Sequence, residues 1–262
     1  MQMNGKIKIT FIGSGNVATH LAQLFFEKGH HIEQIYSRNV ENAEILANKV
    51  NAGFTNDLKQ ISPKSDIYFI AVKDDAIEYV LQEINVGGNL LVHTAGSVNI
   101  ELLLNASNNI GVFYPLQTFT KNANVDFSNI PIGIEANTEK SKNVLMNLAK
   151  QVSQKVSLMN SEQRKILHLS AVFACNFTNH MAAIAEQLLA ENNMDFDLLR
   201  PLLEETVMKF LNGNAIKNQT GPAKRQDESI MKQHSELLHN HPIYNEIYTL
   251  VSKSIMQLGG SD

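Results

Sequence analysis

The chain has 262 residues, 44% hydrophobic and 18% charged, with a formal net charge of −4. That length exceeds the roughly 100–200 residues of a single domain, so two soluble globular domains are expected. The absence of any block of like charge argues against a nucleic-acid partner. A lone cysteine, Cys175, excludes an internal disulfide and fits a reducing, cytoplasmic setting.

A β-rich run carrying Ile7, Ile9, Phe11 and Ile12 stands almost at the N-terminus and leaves no room for a signal peptide. It meets Gly13-Ser14-Gly15-Asn16-Val17-Ala18, after which residues 17–28 follow a helical pattern closed by Gly29. Strand, glycine turn and helix in that order form a dinucleotide-binding fingerprint. Gly13 permits the sharp turn, Gly15 lets a pyrophosphate reach the backbone, and Ala18 lets helix and strand pack closely. Gly13, Ser14, Gly15, Asn16 and Val17 are therefore candidate cofactor contacts, with the phosphates at the helix N-terminus.

Residues 30–36 read as the second strand, and Ser37-Arg38-Asn39 follow it. In such folds this position meets the adenosine ribose. An acid there binds a 2′-hydroxyl, whereas an arginine accommodates a 2′-phosphate. Arg38 with no acid beside it favours NADP, with Ser37 and Asn39 as further donors.

A helix over 41–50, a short strand at 54–55, and a short helix or turn over 56–61 come next. The apolar run 66–72 reads as a strand buried on both faces, ending in Ala71-Val72-Lys73. A helix over 76–84 leads to a strand at 89–93, which ends in Thr94-Ala95-Gly96, and a further strand covers 110–114. This alternation predicts a doubly wound parallel sheet. Its strand ends, with Ala71, Val72, Lys73, Thr94, Ala95 and Gly96 among the contacts, should line one crevice.

A segment without clear period (116–128) precedes a strand at 129–135, a helix at 138–151 and a last strand at 155–159. The first domain is expected to span 1–160 and an all-helical one 161–262. The latter opens with a long helix over 162–192, with Ser161 as its N-cap. Helices over 197–211, 227–240 and 243–257 follow, with a loop at 212–222. Residues 166–185 carry no Asp, Glu, Lys or Arg. His168, Ser170, Asn176, Thr178, Asn179 and His180 make that stretch too polar to face lipid, so no membrane partner is expected. Burial inside the protein or in a dimer is expected instead, with Cys175 as packing.

The layout resembles that of the 6-phosphogluconate-dehydrogenase-like oxidoreductases. It looks most like the bacterial group of Rossmann-like proteins with a C-terminal DUF2520 domain, described as NADP oxidoreductases. The glycine turn, His93-Thr94-Ala95-Gly96, Pro115-Leu116-Gln117-Thr118-Phe119, the block 168–176 and the block 220–227 carry that resemblance. It implies a Rossmann domain followed by a 6-phosphogluconate-dehydrogenase C-terminal-like helical domain, an NADP cofactor, a small-molecule substrate and a homodimer through the helical domain. Two positions depart from the group's pattern. Tyr114 stands where a His usually precedes Pro115, and Gln226 stands where a Gly usually separates Arg225 from Asp227.

His168, Val172 and Asn176 are spaced four apart and share a helix face. In the resembling dehydrogenases the corresponding helix presents a Lys and an Asn to the cleft. His168 is then a candidate acid, since imidazole titrates near neutrality, and Asn176 a candidate for orienting substrate. Both also suit satisfied polar positions within a buried helix. His93 is a further catalytic candidate, with bonding of the loop after its strand as the alternative. Lys224, Arg225 and Asp227 suit either an anion-binding loop or a helix cap. His234, His239 and His241 lack the spacing and the companion ligands of a metal site, so no metal is expected. The function expected is hydride transfer between NADP(H) and a small carbonyl, imine or alcohol. The alternative is an NADP(H)-binding sensor without turnover. A nucleotide-sugar or SAM-type enzyme is disfavoured by Arg38, because SAM folds want an acid at the ribose.

Overall fold

The computed structural model describes residues 5–121 and 125–259. Its contacts form two compact units, one ending at Val172 and the other beginning at Phe173. The division falls later than 160 because the first turns of the long helix pack on the sheet, through buried Arg164 and through Leu167.

The first unit holds β1 (Lys8–Ile12), β2 (His31–Tyr36), β3 (Gly53–Thr55), β4 (Ile67–Ile70), β5 (Leu90–His93), β6 (Ile110–Pro115), β7 (Ile132–Ala136) and β8 (Val156–Leu158). They form one sheet in the order β3-β2-β1-β4-β5-β6-β7-β8. All pairs are parallel except β6 with β7. The expected parallel sheet is present through β6, and β7 extends it antiparallel. A parallel return needs a crossover helix, and the described residues between β6 and β7 hold only a short 3-10 turn, Phe127–Asn129.

Helices α1 (Asn16–Glu27), α2 (Val40–Val50), α3 (Ile77–Glu83) and α4 (Glu139–Lys150) supply the crossovers. Every residue of β4 and β5 is buried. Alternate residues enter two cores: Ile9, Phe11, Phe69 and Val92 on one face, Ile12, Tyr68, Ile70 and Leu91 on the other. Phe11 stacks on Phe69 with ring centroids 5.1 Å apart. Each such buried ring contributes about 1.5–3 kcal/mol.

Helix α5 (Ser161–Ala171) begins the long helical segment. Its N-cap is Asn160 rather than Ser161. Asn160 and Gln163 form a reciprocal capping box, and the Ser161 hydroxyl is taken by Glu135 at 2.9 Å. A π-helical turn, Val172–Phe177, separates α5 from α6 (Thr178–Glu191).

The second unit continues with α7 (Arg200–Asn212), α8 (Glu228–Leu237) and α9 (Pro242–Gly259). Many of its large apolar side chains are exposed. Phe173 is 62% exposed, Phe177 47%, Leu202 63% and Leu250 71%. Cys175 is exposed as well, so the burial expected for 166–185 is absent from the single chain. No helix among the described residues is long and apolar enough to cross a membrane.

Candidate cofactor cleft and proton-donor site

β1 ends at Ile12 and the chain must turn at once into α1. Gly13 turns it at φ +129, donating its N–H to the Tyr36 carbonyl at 2.8 Å. A Cβ at Gly13 would stand 2.2 Å from the Ala71 carbonyl oxygen. Only glycine fits between the ends of β2 and β4. Gly15 is the N-cap of α1, and a Cβ there would meet nothing within 4 Å. No side chain caps α1 and no acid stands in its first turn. Its leading N–H groups and the positive end of its dipole are thus left for an anion.

These residues open onto a cleft of about 670 Å³. The cleft is lined by Gly13, Ser14, Gly15, Asn16 and Val17 from the turn, Ser37, Arg38 and Asn39 after β2, Ala71, Val72 and Lys73 after β4, and Thr94 after β5. Arg38 is exposed and has no hydrogen bond or ion pair with any described residue. The Asn39 side chain accepts the Asn42 N–H at 3.1 Å and caps α2, which leaves its amide N–H groups as donors. The Asn16 side chain donates to the Phe119 carbonyl at 2.6 Å. It ties the turn to the segment after β6 and leaves its backbone N–H for a phosphate. Tyr36, Asn42, Ala76, Tyr79 and Val80 also line the cleft, and none of them was singled out in the sequence. Tyr79, 58% exposed on α3, offers a ring face on which a base can stack. A glycine turn with free space at Gly15, an uncapped helix end and an unpaired arginine fit an NAD(P) dinucleotide.

Ala95 and Gly96 are not among the residues that line the cleft. The loop after β5 is folded inward and uses them elsewhere. The Ala95 N–H donates to His93 Nδ1 at 3.1 Å, and its carbonyl accepts Arg164 Nε–H at 3.2 Å. Gly96 lies against His168, where a Cβ would come 2.7 Å from the ring. His93 is fully buried. Burial, with nearby Arg164 second, pushes its pKa down to about 3. The ring is neutral at physiological pH and fastens the loop, the alternative weighed for it in the sequence.

Arg164 is a further residue that sequence reasoning missed. Its side chain is wholly buried, paired with Glu135 of β7, and donates to the Val98 carbonyl and to Ser161 at 3.1 Å. A buried ion pair of this kind stands only with its other donors satisfied. It fixes α5 against the β5 loop, and His168 follows one turn later on the same face. That spacing was the one signal available. His168 is half-buried, with Nδ1 3.1 Å from the Tyr114 hydroxyl. Ser97 bonds Asp74 nearby, joining the loops after β5 and β4.

In the second unit Asn176 is exposed within the π-helical turn. The segment 220–227 folds as a compact cap. Asp227 accepts the Ile230 N–H at 3.2 Å, Ala223 is buried, and Gln226 takes φ +55. His234 bonds Tyr248 at 2.9 Å, and His241 pairs with Glu191 at 2.8 Å.

Residues 8–96 match the model for NADP oxidoreductase, coenzyme F420-dependent, and residues 130–255 match the domain of unknown function DUF2520. A "putative NADP oxidoreductase" from Bacteroides fragilis is 43% identical over 96% of this chain and 98% of its own, with a TM-score of 0.89. The chain belongs to this family of NAD(P)-dependent oxidoreductases. The oxidoreductase also shares its fold with a reductive aminase from Aspergillus terreus solved with NADPH and ethyl-5-oxohexanoate. That protein is 14% identical, with a TM-score of 0.73 and coverage of 98% of this chain and 97% of that one. A pyrroline-5-carboxylate reductase from Coxiella burnetii is 19% identical, with a TM-score of 0.56 over 98% of this chain and 100% of that one. No curated protein matches the oxidoreductase.

Proposed function

We propose that this oxidoreductase uses NADPH to reduce the C=O or C=N bond of a small substrate, with His168 giving the proton to the heteroatom. One observation carries this reading: the His168 ring rests on Gly96, two residues beyond Thr94, which lines the cleft. NADPH, when bound, supplies the hydride. Arg38 receives the 2′-phosphate, the turn at Gly13 to Val17 receives the pyrophosphate, and Arg164 holds α5 so that His168 stays at the β5 end.

A screen of NADPH oxidation against small ketoacids, cyclic and acyclic imines and deazaflavins tests the proposal. At least one class should be reduced, and His168→Ala should lower kcat by about 10²–10⁴ while NADPH still binds. Tight NADPH binding with no turnover in any class would favour the sensor reading instead.

The exposed apolar side chains of the second unit support a second copy of the chain as their cover, since contiguous exposed apolar surface marks an interaction site. Light scattering at micromolar concentration should give twice the chain's 29.2 kDa. The monomer mass would contradict this.

A further inference from the structure

Tyr114 and His168 meet although 54 residues separate them in sequence, and the cofactor cleft requires no such contact. Tyr114 lies near the end of β6 and is 7% exposed. Its hydroxyl is 3.1 Å from His168 Nδ1, and the two rings meet edge to face at 6.2 Å and 72°. Gly96 lies close against the same ring, near Cγ and Nδ1. Phenol and loop thus both bear on the imidazole. The phenol has no other hydrogen-bond partner among the described residues. A buried hydroxyl proton left without an acceptor costs about 1–3 kcal/mol, so the O–H donates to Nδ1.

We infer that Tyr114 is a positioning residue for proton transfer: it occupies His168 Nδ1, fixes the neutral ring as the Nε2–H tautomer, and leaves Nε2 as the nitrogen that serves the substrate. The inference rests on the acid role given to His168 above. The proton balance is closed. As the substrate heteroatom gains an electron pair, it takes the Nε2 proton. The N–H bond electrons stay in the ring, and Nδ1 takes the phenol proton in the same step. Water then protonates Nε2 while Nδ1 returns its proton to the phenolate, which restores the starting tautomer and leaves hydroxide to the solvent.

The surrounding charges have opposing effects. Burial, the largest influence, pushes the Tyr114 pKa above its ordinary value, Arg164 pulls it down, and Asp74 raises it. The phenol therefore keeps its proton at rest, and the Arg164 guanidinium, itself paired with Glu135, favours the transient anion. Asp74 is engaged by Ser97, and neutral His93 lies on the neighbouring strand.

Tyr114→Phe keeps the ring and removes the bond. Nitrogen-15 NMR of the full chain without substrate reads the His168 tautomer, with His168→Ala assigning the resonances. In its neutral form the wild-type ring should show one tautomer, protonated at Nε2, and Tyr114→Phe a mixture. With a substrate from the screen, kcat of Tyr114→Phe should fall at least tenfold, with the Kd for NADPH unchanged as the check on folding. Identical tautomers in wild type and Tyr114→Phe would overturn the inference. The tautomer change together with no NADPH turnover by the wild type would sustain the Tyr114–His168 coupling and overturn the acid role on which it rests.

Discussion

The two glycines of the turn do different work, and the same substitution separates them. At Gly13 an alanine meets two penalties. The backbone sits at φ +129, and the Cβ would stand 2.2 Å from the Ala71 oxygen and 2.7 Å from its carbon. Strain at such a φ costs about 1–3 kcal/mol. Overpacking against backbone that cannot rotate away costs about 1–3 kcal/mol more. A loss near 4 kcal/mol corresponds to a fall in Tm of about 8–16 °C for a chain of this size. At Gly15 neither penalty arises, because φ is −73 and a Cβ meets nothing within 4 Å. The gain of about 0.4–1 kcal/mol from a stiffer unfolded chain roughly offsets the weaker N-cap. Gly15→Ala should therefore melt within a few degrees of wild type, yet its methyl occupies the approach of a pyrophosphate. A tenfold or greater loss in NADPH affinity, about 1.4 kcal/mol, is expected in a fluorescence titration. Scanning calorimetry and the titration, run on both variants, give four numbers. Wild-type affinity in Gly15→Ala, or wild-type melting in Gly13→Ala, would refute the reasoning.

Two further outcomes follow from the buried polar groups. Arg164→Met strands Glu135, which is 16% exposed. A loss of about 3–5 kcal/mol is expected, read by chemical denaturation, and Glu135→Gln should cost less because its bonds to Ser161 can persist. His93 has a folded pKa of about 3 against 6.5 for the free group. The unfolded chain binds the extra proton first, so this position destabilises the fold as pH falls from about 6.5 toward 3. His93→Asn should flatten the fall in Tm over the upper part of that range, and an unchanged slope would count against a buried neutral ring.

Local chemistry made much of the fold legible in the chain. The apolar runs of β4 and β5 and the glycines before α1 are short-range signals, and the expected elements match them closely. What was hidden depends on contacts distant in sequence. A charged Arg164 within a helix reads as solvent-facing until Glu135, Ala95 and Val98 are seen around it. The contact of Tyr114 with His168 has no local trace, because strand and helix meet only once the sheet is built. β7 reads as any other strand, and its antiparallel pairing goes with a connection whose described residues hold no crossover helix. Asn160 and Ser161 are both good caps, and Glu135 decides between them by taking the serine hydroxyl. In the cleft, residue types at strand ends pointed to Gly13, Arg38 and Lys73, whereas Tyr79 looked like any surface aromatic on a helix.

The 2′-phosphate assignment to Arg38 is tested most directly by titrating wild type and Arg38→Ala with NADPH and NADH. A hydrogen bond to a charged group is worth about 1.5–3 kcal/mol. Wild type should therefore prefer NADPH about ten- to a hundredfold, and Arg38→Ala should bind the two cofactors almost equally, chiefly through weaker NADPH binding. Equal affinity of the wild type for NADPH and NADH, or a preference for NADPH that survives Arg38→Ala, would contradict it.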